Sequence, residues 1–170
     1  CCGYKGEVIE NYFRSFKNSN QIRSTSDGST YVINFEHNIV WTVTLLDTGQ
    51  ETQTGGRLLR AKPYIDGTFC LTYGDGLADI NINRLINYHK DKNRNITVTG
   101  INPRSKYGMI VADDNNIVTS FKQKPLLKNH IVNAGFFVCE KLILELLESD
   151  DEEFETSVLA KSANEKQLAL

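Results

Sequence analysis

A chain of 170 residues with 40% hydrophobic and 24% charged side chains is long enough for one domain with a substantial core. The net charge is −2 and the basic residues are scattered, so the sequence predicts no nucleic-acid surface. No apolar run approaches the length that crosses a bilayer, and no basic segment followed by an apolar one opens the chain. We therefore expect a soluble, cytoplasmic protein that binds neither nucleic acid nor membranes.

The four cysteines show no pattern typical of a metal or disulfide site. They are Cys1, Cys2, Cys70 and Cys139, without any CxxC spacing. Cys70 and Cys139 lie within apolar runs, where a free thiol behaves as a small hydrophobic side chain. The pattern favours structural roles for all four.

Hydrophobic periodicity predicts an alternation of helices and strands. In the first part of the chain we expect a helix over 4–17, a loop over 18–29, strands over 31–35 and 41–46, and a short helix over 57–62 that Pro63 ends. In the middle we expect a strand over 69–71, a helix over 79–91 capped by Asp79, and a strand over 96–101. The last part should contain a hairpin of 109–112 and 117–121, a strand over 131–138, and helices over 140–147 and 154–163. The strand–helix–strand order in the middle is typical of an α/β protein with a parallel sheet.

The two ends of the chain resemble interrupted strands. The chain begins without methionine, and residues 167–170 have the pattern of a strand that is just starting. We expect a single domain over residues 1–170 that is truncated at both ends.

The segment Thr72-Tyr73-Gly74-Asp75-Gly76 follows a short apolar strand. In an open α/β sheet, ligands bind beyond the carboxyl ends of the strands, and glycine there allows a phosphate or a sugar to approach the backbone. A single carboxylate supplies one or two oxygens to Mg²⁺, which completes its shell with water and substrate phosphates. Asp75 is therefore a candidate metal ligand. A turn aspartate that bonds to its own backbone is the alternative.

A second candidate site is Thr54-Gly55-Gly56, directly before the predicted helix over 57–62. Backbone amides at a helix N-terminus suit an anion or the edge of a base. Threonine and glycine are also common where a helix simply begins, so both interpretations remain open.

Several segments together resemble a known family. Four segments occur in the order found in sugar-nucleotide pyrophosphorylases: the opening CGYKG, the stretch VTLLDTGQETQTGGRLLRAKPYIDGTFCLTYGDG over 43–76, Pro103-Arg104 with Tyr107-Gly108, and NAGFFV over 133–138. Among the sugar-nucleotide pyrophosphorylases, the chain resembles the glucose-1-phosphate cytidylyltransferase family. That resemblance implies a Rossmann-like, mixed but mainly parallel sheet flanked by helices, of the nucleotide-diphospho-sugar transferase type and incomplete here.

The resemblance also implies roles for particular residues. It assigns Asp75, Lys124 and Arg57 to catalysis, with Asp75 holding Mg²⁺ and Lys124 meeting the sugar phosphate. It assigns nucleotide binding to Thr54, Gly55, Gly56, Arg57 and Gly74, and sugar binding to Asn133, Gly135, Gln123 and Glu155. Two positions depart from the family pattern: Gln123 replaces a glutamate, and Phe154 precedes Glu155 where a tryptophan is usual.

The implied reaction joins CTP and α-D-glucose 1-phosphate to give CDP-glucose and pyrophosphate, in nucleotide-sugar biosynthesis for O-antigen or lipopolysaccharide. The resemblance further implies Mg²⁺ as the cofactor and a homo-oligomer when complete. The family's glycine-rich triphosphate loop and its second metal aspartate do not occur in these 170 residues. A metal-dependent glycosyltransferase that uses nucleotide sugars, and a non-catalytic module that binds sugar phosphates or nucleotides, remain alternatives.

Overall fold

The structure is a computed structural model that describes residues 1–16, 19–25 and 28–170. The chain divides into two compact units, one of Cys1–Gly67 with Glu140–Glu165 and the other of Thr68–Cys139 with Lys166–Leu170. The single domain expected from the sequence stays a prediction. Across the described ranges, no helix is both long enough and apolar enough to span a bilayer.

The first unit contains an antiparallel sheet of three strands in the order β1-β2-β3. Helix α1 (Gly6–Ser15) precedes β1 (Ser19–Thr25), β2 (Gly28–Asn34) and β3 (Val40–Leu46). The loop predicted over 18–29 is therefore wrong, because its polar residues lie on an edge strand where pairing with β2 outweighs weak strand propensity. Residues 17, 18, 26 and 27, parts of the helix and loop predictions, lie outside the described residues.

The rest of the first unit is built from short helical segments. Helix α2 spans Thr54–Ala61 and continues into a 3₁₀ turn over Lys62–Tyr64. The sequence placed the start of α2 three residues too late, and Pro63 does not end the helical path, because a proline near the start of a turn loses no hydrogen bond.

The two helices predicted near the end of this unit differ in type. The first is a 3₁₀ segment, Lys141–Leu146, and the second is a π turn, Glu155–Leu159, that leads into α4 (Ala160–Asn164). Buried side chains of α2, of these two segments and of the residues that flank them form a core, which comprises Leu58, Ala61, Ile143, Leu144, Leu147, Phe154 and Val158.

The second unit contains a mixed sheet of four strands. In their order across the sheet they are β4 (Phe69–Thr72), β8 (Val132–Cys139), β5 (Ile96–Ile101) and β9 (Leu168–Ala169). Strand β8 runs antiparallel to both of its neighbours, whereas β9 is parallel to β5, so three of the four strands share one direction. The predicted β4–helix–β5 order is confirmed, but β8 lies between the two strands.

Helix α3 (Ile82–Lys92) covers this sheet through buried His89, whose Nδ1 lies 2.8 Å from the hydroxyl of Thr97 on β5. Its N-cap is Asn81, which accepts a hydrogen bond from the amide of Arg84 at 2.9 Å. The predicted cap Asp79 is therefore wrong, and the helix begins three residues later.

The hairpin of β6 (Met109–Ala112) and β7 (Val118–Lys122) matches the sequence prediction within one residue.

Candidate functional site

In the second unit, the chain turns sharply where β4 ends. The last pair of the β4–β8 ladder is Thr72 with Phe136, and the amide of Gly76 donates to the carbonyl of Tyr73 at 3.4 Å. This turn places Asp75 on the surface. A Cβ added to Gly74 would meet no heavy atom within 4 Å, so the space beside this backbone is open. A ligand can therefore approach the turn at Gly74, as the sequence predicts.

The Asp75 carboxylate fits the way in which Mg²⁺ binds proteins. The ion commonly takes one or two carboxylates and fills its remaining positions with water and substrate phosphates. Over the residues that the structure describes, no group of three or more His, Cys, Asp or Glu side chains could hold a metal by itself. Asp75 would thus supply one ligand of an ion that arrives with a nucleotide, and magnesium binding here stays a prediction.

Beside this turn, strand β8 carries the predicted sugar residues Asn133 and Gly135. Gly135 has a φ of +78°, and its amide donates to Asn133 Oδ1 at 2.8 Å. Asn133 Nδ2 in turn donates to the hydroxyl of Tyr73 at 3.4 Å. The structure therefore brings Asn133 and Gly135 next to the segment that carries Gly74 and Asp75.

Gln123 and Lys124 follow the β6–β7 hairpin, and both are exposed. Lys124 has a φ of 45°, in the left-handed region, although it is not glycine and it precedes Pro125. Such conformations cost of order 1–3 kcal/mol and cluster at functional sites. This backbone is consistent with a ligand-binding role for Lys124, which stays a prediction.

In the first unit, the start of α2 is joined to the segment over 150–152. The amide of Gln53 donates to the carbonyl of Asp150 at 2.9 Å, and those of Gly55 and Gly56 donate to the carbonyl of Glu152 at 2.9 and 3.2 Å. A Cβ on Gly56 would lie 2.4 Å from the Asp150 carbonyl oxygen. Gly55 and Gly56 thus allow the backbone of α2 to approach the backbone of residues 150–152. This is the simple helix start that the sequence left as one of two interpretations. Nucleotide binding by Gly55 and Gly56 stays a prediction.

Thr54 and Glu155 also meet in this unit. The hydroxyl of Thr54 donates to Glu155 Oε2 at 3.0 Å and accepts from the amide of Phe154 at 2.9 Å. A residue predicted to bind the nucleotide therefore holds one that was predicted to bind the sugar.

Arg57 is half-buried, and its guanidinium donates to three neutral oxygens. These are the hydroxyl of Thr48 at 2.7 Å, the carbonyl of Gln50 at 3.1 Å and the carbonyl of Cys2 at 3.4 Å. Because these three acceptors are uncharged, their bonds to the guanidinium do not neutralise its positive charge. The geometry positions Arg57 firmly, which suits a residue that is to bind phosphate.

Sequence reasoning missed the acidic residues that hold α2. Arg60 donates from Nε to Asp150 Oδ1 at 2.9 Å and from a second nitrogen to Oδ2 of the same carboxylate, and this bond lowers the pKa of Asp150. The amides of Glu148 and Ser149 donate to Glu152 Oε1 at 2.6 and 2.8 Å and lower the pKa of Glu152. The acidic composition of residues 148–153 was the available signal.

Comparison with known proteins identifies the class. The family profile described as nucleotidyl transferase matches residues 7–170, so this chain belongs to the nucleotidyl transferase family. The resemblance found in the sequence is thereby confirmed at the level of the family.

Comparison with individual relatives is more specific than the family profile. The chain is 39% identical to a probable glucose-1-phosphate cytidylyltransferase of Bacillus subtilis and 34% identical to the glucose-1-phosphate cytidylyltransferase of Salmonella typhi, in each case over 99% of this chain. A UTP–glucose-1-phosphate uridylyltransferase of Synechocystis is 28% identical over 86% of this chain. The chain spans 66% of the length of each of the two cytidylyltransferases and 37% of the uridylyltransferase.

Solved structures confirm the fold class. The crystal structure of HddC from Yersinia pseudotuberculosis matches 94% of this chain and 62% of its own, with a TM-score of 0.54 and 19% identity. The mixed α/β fold expected from the sequence is therefore confirmed, and its nucleotide-diphospho-sugar transferase type agrees with the nucleotidyl transferase profile that matches residues 7–170.

Proposed function

We propose that the protein to which this chain belongs joins CTP and α-D-glucose 1-phosphate to give CDP-glucose and pyrophosphate. The observation that carries the proposal is the turn after β4, where an exposed carboxylate, Asp75, lies beside open space at Gly74. The choice among nucleotidyl transfers is supported by the likeness to relatives named glucose-1-phosphate cytidylyltransferase.

In this reaction an oxygen of the sugar phosphate attacks the α-phosphorus of CTP, and the bond from that phosphorus to the β-phosphate oxygen breaks. The second pKa of a phosphate monoester is about 6, so the attacking group is already mostly ionised at neutral pH and needs no general base. Catalysis then depends on orienting the substrates and stabilising their negative charge.

The second unit would hold the metal and the sugar phosphate. Asp75 would bind Mg²⁺, which when bound supplies positive charge to the nucleotide phosphates. Lys124 would neutralise the phosphate of glucose 1-phosphate. Asn133 and Gly135 would orient the hexose, with Gln123 as a neutral donor and acceptor for one of its hydroxyls.

The first unit would supply groups for the nucleotide. Arg57 carries the positive charge, and it is held by neutral oxygens, so a phosphate is the natural partner for its remaining capacity. Thr54, Gly55 and Gly56 would lie at the base in this proposal, whereas Glu155 would act on the sugar side of the substrate.

A pyrophosphate-release assay with the purified whole protein to which this chain belongs tests the proposal. With glucose 1-phosphate and Mg²⁺ present, release should be faster with CTP than with UTP or dTTP, and it should stop when the metal is chelated. Equal rates with all three nucleotides would contradict the choice of CTP. Binding of CTP and glucose 1-phosphate without any release would favour a non-catalytic module.

A further inference from the structure

Tyr73 connects the Asp75 turn to the sugar-side residues of β8. Its backbone carbonyl accepts from the amide of Gly76 and so closes the turn that presents Asp75. Its hydroxyl meets Asn133 Nδ2 at 3.4 Å, and its ring lies edge-on to Phe137 with centroids 5.8 Å apart. Tyr73 therefore contacts both parts of the candidate site in this unit, the turn through its backbone carbonyl and β8 through its half-buried side chain.

The ring of Tyr73 also explains why position 135 is glycine. A Cβ built on Gly135 would lie 2.4 Å from Cδ2 and 2.9 Å from Cε2 of Tyr73. Real Cβ contacts do not occur at such distances, so the ring occupies the space that any other residue would need. The φ of +78° disfavours a side chain there for an independent reason.

The orientation of the Asn133 amide is fixed by its neighbours. The amide of Gly135 is a donor, so the atom of Asn133 that faces it at 2.8 Å must be the oxygen, Oδ1. The nitrogen Nδ2 consequently faces the Tyr73 hydroxyl, which can accept its hydrogen. Each Asn133 terminus has further capacity, one proton on nitrogen and one lone pair on oxygen, with which it can bind a ligand.

An irregularity in β8 lies at the same place. The pairing of β5 with β8 shifts register between Val98 and Gly100, which face Phe137 and Asn133 respectively. Bulges of this kind redirect side chains and are common next to active sites. Here the bulge contains left-handed Gly135, which Asn133 holds by its hydrogen bond and Tyr73 covers with its ring.

We propose that Tyr73 is a positioning residue that holds the Asn133 amide in the orientation needed to bind the sugar 1-phosphate. This inference rests on the proposed function. Tyr73 acts through Asn133, so its hydroxyl should affect the sugar substrate and leave the nucleotide unaffected. The bond of 3.4 Å is long, and hydrogen bonds in active sites commonly tighten in the substrate complex.

The first experiment measures hydrogen exchange of the Gly135 amide in the variant Tyr73→Phe. Removing the hydroxyl frees the Asn133 amide to rotate, which weakens its bond to the Gly135 amide. Exchange should become about three- to tenfold faster, as expected for one neutral hydrogen bond. Tyr88→Phe is the matched control, because Tyr88, on α3, loses a hydroxyl bond to the Leu170 carbonyl, and this change should leave Gly135 unaffected. Unchanged exchange in Tyr73→Phe would overturn the inference.

The second experiment measures kinetics with glucose 1-phosphate and CTP. Tyr73→Phe should raise KM for glucose 1-phosphate about three- to tenfold, while kcat and KM for CTP change by less than about twofold. In an Asn133→Ala background the same change should have almost no further effect. Equal loss for both substrates, or full additivity with Asn133→Ala, would overturn the inference.

The two measurements separate this inference from the proposed function. A wild-type protein that releases no pyrophosphate with any sugar 1-phosphate would overturn the proposed function and with it the sugar role of Asn133. The exchange rate of Gly135 would then still decide whether Tyr73 holds Asn133. A melting temperature of Tyr73→Phe close to that of the wild type would exclude general unfolding as the cause of faster exchange.

Discussion

Thr54 and Glu155 are 101 positions apart in the sequence and are joined by a hydrogen bond of 3.0 Å between Thr54 Oγ1 and Glu155 Oε2. The same hydroxyl accepts from the amide of Phe154 at 2.9 Å. One side chain therefore fixes the start of α2 to the segment that begins the π turn. Within the first unit, this contact stabilises the fold and also joins two residues that are candidates for substrate binding.

Replacement of Thr54 by valine should lower the free energy of unfolding by about 1 kcal/mol, because both bonds of the hydroxyl are lost while the shape is kept. Denaturant titration of the purified protein measures this change. Thr54→Ser is the matched control, since it keeps the hydroxyl and should retain most of the stability. Equal stability of the valine and serine variants would show that the two bonds contribute nothing.

Gly56→Ala should destabilise the protein by about 1 to 3 kcal/mol, because the added Cβ would overlap the backbone of Asp150. The comparison is Gly74→Ala, where the new Cβ meets no heavy atom within 4 Å. We expect that variant to keep its melting temperature and to lose turnover, since the methyl group occupies the space open to a ligand. Normal turnover of Gly74→Ala would remove Gly74 from the nucleotide site.

Asp75→Asn should reduce kcat about a hundred- to a thousandfold, the effect expected when one preorganised charge is removed from the transition state. The melting temperature should barely change, because Asp75 is exposed in a turn that asparagine also favours. Asp79→Asn is the control, since Asp79 caps no helix in this structure and is exposed. Near-normal magnesium-dependent turnover of Asp75→Asn would exclude Asp75 as the metal ligand.

Acidification should weaken the attachment of α2 in the first unit. Hydrogen bonds from Arg60 lower the pKa of Asp150, and those from the Glu148 and Ser149 amides lower the pKa of Glu152. A carboxyl whose pKa is lower in the folded state stabilises that state fully above its ordinary pKa, and this contribution is lost as the pH falls through the folded value. The melting temperature should therefore drop below about pH 4.

The variant Asp150→Asn separates this contribution from general acid unfolding. It should melt at a lower temperature than the wild type near pH 7 and approach the wild type as the pH falls, since protonation then makes the wild-type carboxyl group neutral, like the amide of asparagine. Asp151→Asn, at the exposed neighbouring position, should show the wild-type pH profile. A constant difference between Asp150→Asn and the wild type across the whole pH range would contradict the assignment.

The sequence by itself determined the elements with strong periodicity and the family. The sequence predicts strand β5 over 96–101 and the hairpin of β6 and β7 almost to the residue, because consecutive β-branched side chains favour a strand locally. The segment around Gly74 and Asp75 was placed correctly at a strand end. The order in which this segment and the other motifs follow one another indicates the nucleotidyl transferase family.

Only the tertiary structure decided what the glycines and polar residues contact. Gly55 and Gly56 contact the backbone of residues 150–152, and Tyr73 covers Gly135, through approaches of segments that are far apart in sequence. The polar strand β1 is held by its pairing with β2, and Asn81 caps α3 in place of Asp79. Local propensity differs by about 1 kcal/mol or less between such alternatives, so long-range pairing and packing select among them.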